Sequence, residues 1–457
     1  MNKVYHGMSG ELGFDGLAEL AQEYGCEHLE AFEFHQVSGE ICLRRSSLEV
    51  HDSRGSFRAV RVLMKGRWGV ASSSTLTIRE LLKRAVYQVA RYGRKLKKRV
   101  KLADRPPVEG RYVLKEGRGF DDKNVVEAQE AMVLVSDALE EKASMVVKHV
   151  EGVLTYSLTV RHYLSSDGSD AVEVRPLTDY AFFVATPRGS VSVGSGAAGG
   201  LEVFLRSDHE ALVAELLRRV KHRVLARPLD PLLRGGKHPV VLGREAAAAF
   251  IHEVVGHCLE ADVAYSQKLP FMIGMRVAVS ELTVYDDPTL PGGYGGYFFD
   301  DEGVRARKKA LIEGGEVVGL LHTRETAMDY GVEPTGNGRG VFTPPKALMS
   351  TLYVKPGSWR FSEVLEETRK GFYVDGVVRA ELTGSHVVLV PEEVWLVEAG
   401  EIKTPVVVSE IRVPLNRALQ LVEAVCNRPL EQRVSLERTL PVSEVAPPLK
   451  LSAAQLL

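Results

Sequence analysis

The amino-acid sequence predicts an α+β protein: an N-terminal α/β domain over residues 1–227, then a sheet-rich C-terminal domain over 228–457 that carries a metal-site helix. Three observations predict this class. In the first half, helical periodicity alternates with period-two apolar patterning. A break rich in proline and glycine follows, with Pro228, Pro231 and Gly235-Gly236. Beyond it, closely spaced turn signals leave room mainly for strands, interrupted by one strongly apolar helical stretch.

Residues 11–24 have helical spacing, and alternating stretches around 29–50 and 57–71 follow. The second of these reads as two strands joined near Lys65-Gly66. Thr77 is placed to cap a helix over 78–99 that turns Leu81, Leu82, Ala85, Val86, Val89 and Ala90 toward a core. That helix runs into the basic segment Arg91–Lys101, read as a solvated helix end because no aromatic platform accompanies it. A second helix is expected over 123–147, strands from Leu154 to Leu205 with a hairpin at Asp167-Gly168, and a helix over 207–225. The glycine-rich Gly194–Gly200 is not a phosphate-binding loop, since no lysine and hydroxyl residue follow it.

After the break come a short strand at Pro239–Leu242, the apolar helix from Arg244 to about Lys268, and a long β region. Its turns are marked at Asp286–Pro288, Pro291–Gly296, Glu313–Gly315, Pro334–Gly338 and Ala399-Gly400. Helices near 361–370 and 415–425 interrupt it, and Cys426 is placed at the end of the latter.

A net charge of −2 gives no global attraction to nucleic acid or to anionic membranes. No apolar run is long enough to span a bilayer, and no basic-then-apolar leader opens the chain. The four cysteines, Cys26, Cys42, Cys258 and Cys426, have no C-x-x-C spacing, so neither a disulfide framework nor a zinc ribbon is implied. A reduced, cytoplasmic protein is expected.

The apolar helix contains His252-Glu-Val-Val-Gly-His257. Two imidazoles can bind a metal, and the adjacent carboxylate can take a proton from water that the metal activates. The familiar H-E-x-x-H motif puts its histidines one turn apart. Here the spacing is i+5, which on a regular α-helix turns the side chains about 140° apart. A π-type turn would restore a shared face, and Gly256 eases such a distortion. The alternative is a pair of hydrogen-bonded core histidines. Glu260 and Asp262 follow closely, and so many ionisable groups among Ala246–Ile251, Val254, Val255 and Leu259 are costly unless paired or metal-bound.

The whole chain also resembles the TldD/PmbA family, metallopeptidases once described as modulators of DNA gyrase. The resemblance rests on Gly66–Ser72, Ser165–Gly168, Val240–Gly243, His252–Asp262, Asp286–Gly292, Asp300–Gly303, Pro334–Arg339 and Glu398–Pro405, in that order. It implies a TldD-like subunit with one zinc ion held by His252 and His257, with Glu253 as general base. It further implies a cavity for short or unfolded peptides, formed by pairing with a metal-free homologue or with a second copy. The family's third ligand is a cysteine near the C-terminus, and ungapped counting puts Arg433 in its place. The third protein ligand is therefore unidentified at this stage, with Glu260 a candidate. A peptidase and a non-catalytic structural or regulatory subunit with a decayed metal site are the competing readings. No nucleic-acid function follows from charge or motif.

Overall fold

The computed structural model describes residues 14–45, 47–92, 99–115, 120–266, 269, 271–428 and 432–457. Strands β1 (His28–Arg44), β2 (Ser47–Met64) and β3 (Arg67–Ser73) begin a seven-stranded sheet. It is completed by β4 (Glu109–Val113), β5 (His149–Ser165), β6 (Asp170–Thr186) and β7 (Gly189–Ala198). The spatial order is β3-β2-β1-β5-β6-β4, with β7 also on β6; only β4 pairs in parallel. Lys65 and Gly66 turn β2 into β3 with φ of 52° and 68°, the double left-handed turn that matches strand twist.

Helices α1 (Phe14–Tyr24) and α2 (Ile78–Tyr92) cover part of this sheet, packing Leu17, Leu20, Leu81 and Ala85 with Leu29, Val60 and Val62. Thr77 caps α2: its hydroxyl accepts from the Glu80 N–H at 3.3 Å, and the Glu80 carboxylate accepts from the Thr77 N–H at 2.8 Å. The expected extension to 99, with most of the basic segment, lies outside the described residues. Helices α3 (Asp122–Lys142) and α4 (His209–Leu225) build a second apolar cluster with Leu154, Phe182 and Val184.

Among the described residues, strands from 227 onward form two main sheets and a two-stranded one, Gly338–Arg339 with Lys346–Ala347. In the larger, Lys370–Thr383, Lys237–Leu242, Leu449–Leu456, Ile411–Pro414 and His386–Glu398 pair in sequence, and the last pairs back to the first, closing a ring. The other sheet includes Val284–Asp286, Lys309–Glu313, Thr351–Val354 and a terminal hairpin, Gln432–Glu437 with Leu440–Val445. Helix α5 (Arg244–Ile251) shares one core with both: Ala246–Ile251 pack with Val240 and Leu242 of the first and Val284, Leu311 and Leu352 of the second. A helix apolar all round belongs in such a place, and its run of alanines permits close approach. The expected helix at 415–425 is a correction: a 3₁₀ turn at Leu415–Arg417 leads to the strand Val422–Val425, which pairs with Leu449–Leu456. Pairing with a central strand overrides the local periodicity there, and Cys426 follows a strand rather than ending a helix.

The two halves meet through buried charge. Arg61, fully buried, binds Glu30 at 2.8 Å and donates to the carbonyls of Asp301 and Gly340. Arg161 pairs with Glu173 at 2.9 Å on its own sheet and with Asp301 at 2.5 Å across the junction. Farther along, Arg219 of α4 reaches Glu245 at 2.7 Å and Glu392 at 2.5 Å, while Arg218 reaches Glu393 at 2.8 Å.

Candidate metal centre

Helix α5 does not run straight through the motif. His252–Gly256 form a π-turn in which the His257 N–H donates to the His252 carbonyl, and His257–Leu259 tighten into a 3₁₀ turn. The extra residue brings both imidazoles to one side of the helix. Their Nε2 atoms lie 3.2 Å apart, with the ring planes at 82°. Gly256 serves differently from the sequence expectation. Its φ is −55°, ordinary for a helix, so no glycine-only conformation is used. A Cβ there would lie 2.3 Å from the Met349 sulfur, so what matters is the missing side chain.

The outer nitrogens are held by carboxylates. His252 Nδ1 lies 2.5 Å from Glu444 Oε1, and His257 Nδ1 lies 3.1 Å from Glu260 Oε1. Each carboxylate is fully buried and is braced by an arginine: Arg433 binds Glu444 at 3.0 Å, and Arg438 binds Glu260 at 2.7 Å. Burial alone would raise the Glu444 pKa, but Arg433 and His252 outweigh it and keep the group ionised. Glu260 thus orients His257 from behind and does not face the space between the rings, which corrects its candidacy as a ligand.

The terminal hairpin supplies most of this frame. Arg433 and Glu437 lie on one face of a strand, and Arg433 stands opposite Glu444 in the register. Arg438 and Thr439 turn the hairpin with φ of 51° and 67°, left-handed values that non-glycine residues seldom adopt. That turn puts Arg438 on Glu260 and leaves Glu437 beside the rings. Glu437 Oε2 is 3.9 Å from His252 Nε2 and 3.7 Å from His257 Nε2.

Glu253 is buried with the histidines: one of its carboxylate oxygens and one nitrogen of each ring lie within 4.8 Å of one another. Burial raises its pKa, more than the two imidazoles lower it. Cys258 faces away, its thiol donating to the Glu253 carbonyl at 3.5 Å, and Cys426 sits in an apolar cluster with Val241 and Val364. Among the described residues, neither cysteine belongs to a convergent group of ligand-type side chains.

The donor set fits a divalent metal. With a carboxylate at each Nδ1, the hydrogen bonds assign a ring proton there and leave the two Nε2 atoms, 3.2 Å apart, to share a cation, a proton in the metal-free protein or a metal ion in its place. Carboxylate partners behind metal-binding imidazoles are a recurrent means of fixing tautomer and orientation. The sequence displayed His252, Glu253 and His257 as one motif. It hid Glu437, Glu444 and Arg438 and the role of Arg433, which stand on and around a hairpin with no local pattern that marks them.

Comparison with known proteins places this fold in a family. Residues 235–456 match the family model described as the PmbA/TldA metallopeptidase C-terminal domain. A metalloprotease of Methanocaldococcus jannaschii is 30% identical over 376 residues, covering 80% of this chain and 82% of the relative. A zinc metalloprotease TldD homolog of Saccharolobus solfataricus is 28% identical over 197 residues, 42% of this chain and 44% of that one. The crystal structure of TldE from Thermococcus kodakarensis superposes with a TM-score of 0.77 at 20% identity, covering 97% of this chain and 99% of that one. The chain belongs to the TldD/PmbA family. Among the described residues no helix is long and apolar enough to cross a membrane.

Proposed function

We propose that this chain is a zinc-dependent peptidase that hydrolyses short or unfolded polypeptides. The observation that carries the reading is the convergence of the His252 and His257 Nε2 atoms at 3.2 Å, beside the buried Glu253. His252 and His257 would hold the ion. A zinc ion so held supplies a Lewis acid that polarises a carbonyl and makes water acidic enough to attack at neutral pH. Glu253, its pKa raised by burial, accepts the proton from the attacking water and delivers it to the departing amide nitrogen. Glu444 and Glu260 keep the imidazole protons on Nδ1, and Arg433 and Arg438 brace those carboxylates.

The remaining features of the proposal follow the family. The chain works in the cytoplasm on peptide substrates, as a dimer with a metal-free homologue or with itself. The rival reading is a non-catalytic subunit, supported by the placement of Arg433 where the family cysteine is expected. Glu253→Gln separates the two. It keeps size and charge-free hydrogen bonding but removes the base, so hydrolysis of an unfolded peptide should fall about 10²–10⁴-fold while zinc content stays at the wild-type level. A wild-type protein that holds zinc, is assayed with its partner, and cleaves no unfolded peptide establishes the non-catalytic reading instead.

A further inference from the structure

We infer that Glu437 is the third protein ligand of the metal centre, making it a two-histidine, one-carboxylate site. The inference rests on the proposed metal centre and extends it. A metal bonded to two imidazoles at about 2.0–2.1 Å in tetrahedral geometry sets neighbouring ligand atoms roughly 3.3 Å apart. The two Nε2 atoms already meet that edge length at 3.2 Å. Glu437 Oε2 stands 3.7 and 3.9 Å from them, a few tenths of an ångström outside the same triangle. Its side chain is 29% exposed, so it can close that gap without disturbing the core.

Two of the other acidic groups near the rings are occupied elsewhere. Glu444 and Glu260 each spend one oxygen on a histidine Nδ1 and the other on an arginine. Glu253 precedes the π-turn's apolar residues on the helix itself and is the group left to act as base. Glu437 approaches from a different element, at the end of a strand whose turn is held in a left-handed conformation by two non-glycine residues. Backbone held in a sparsely populated conformation beside a site is commonly retained because the site needs it. Two histidines with one carboxylate, and a fourth position open, form a known catalytic zinc arrangement.

The test uses the full-length chain stripped with a chelator, with zinc affinity measured by competition against a chromogenic chelator and cobalt(II) as a spectroscopic probe. Loss of a hydrogen bond behind a ligand typically costs 10–100-fold in affinity, so Glu437→Ala should cost more than about 100-fold. Glu437→Cys should bind cobalt with a thiolate-to-metal charge-transfer band absent from the wild type, a result independent of catalysis and of how well Glu437→Ala folds. Wild-type zinc affinity in Glu437→Ala, or a cobalt-loaded Glu437→Cys protein without a thiolate band, overturns the assignment. If the wild type itself binds no metal, the proposed function fails with it; a wild type that binds while Glu437→Ala binds equally overturns only the role of Glu437.

Discussion

Each motif histidine ends a chain of three side chains, Arg433–Glu444–His252 and Arg438–Glu260–His257. Burial alone would lower the His257 pKa, but Glu260 and Glu437 outweigh it and raise it to about 10. In the metal-free protein the ring therefore keeps its second proton at neutral pH, and a metal must displace it. Below the His257 pKa, apparent zinc affinity should rise about tenfold per pH unit. Chelator competition between about pH 6 and 8 measures this, and an affinity flat across that range contradicts it. At this scale the sequence disclosed the residues that sit together on one short motif. The rest of the centre was illegible because its residues are far away along the chain, and scattered arginines and glutamates of a hairpin look like any solvated face until the fold turns them inward.

Among the elements, the π-turn shows how far the i+5 spacing could be read. The spacing demanded a widened helix, and the i→i+5 bond supplies it. The role of Gly256 was misjudged because sequence reports a glycine's freedom but not the neighbours that crowd it. The two roles predict opposite signs for Gly256→Ala. Were conformational freedom all that glycine provided, alanine would stabilise a helical position by up to about 1 kcal/mol. With Met349 2.3 Å from the new Cβ, overpacking should instead destabilise by about 1–3 kcal/mol, readable as a lower denaturant midpoint. A stabilised variant rules out the steric role. The helix expected at 415–425 failed for a related reason, since strand pairing at Val422–Val425 is a long-range event.

Across the whole molecule, the mixture of helices and strands and the strand-rich second half were legible. The charged junction between the halves was not. Within it Glu393 is buried next to Arg218, and burial together with Asp375 and Glu215 outweighs Arg218 and Arg219, pushing its pKa up to about 8. A carboxyl whose folded pKa is raised binds its proton more tightly in the folded state. Its stabilising contribution is complete below the ordinary glutamate range and is lost as pH rises toward about 8. Glu393→Gln should therefore lose less thermal stability than the wild type between about pH 5 and 9, and parallel melting curves across that range refute the assignment. The terminal hairpin has a consequence in time. Translation delivers His252–His257 long before Arg433–Glu444, and until the hairpin docks His252 lacks Glu444 and Glu260 lacks the arginine that braces it. A chain interrupted before Gln432 carries the motif without the centre, so hydrolysis of the proposed kind waits for this hairpin to be made.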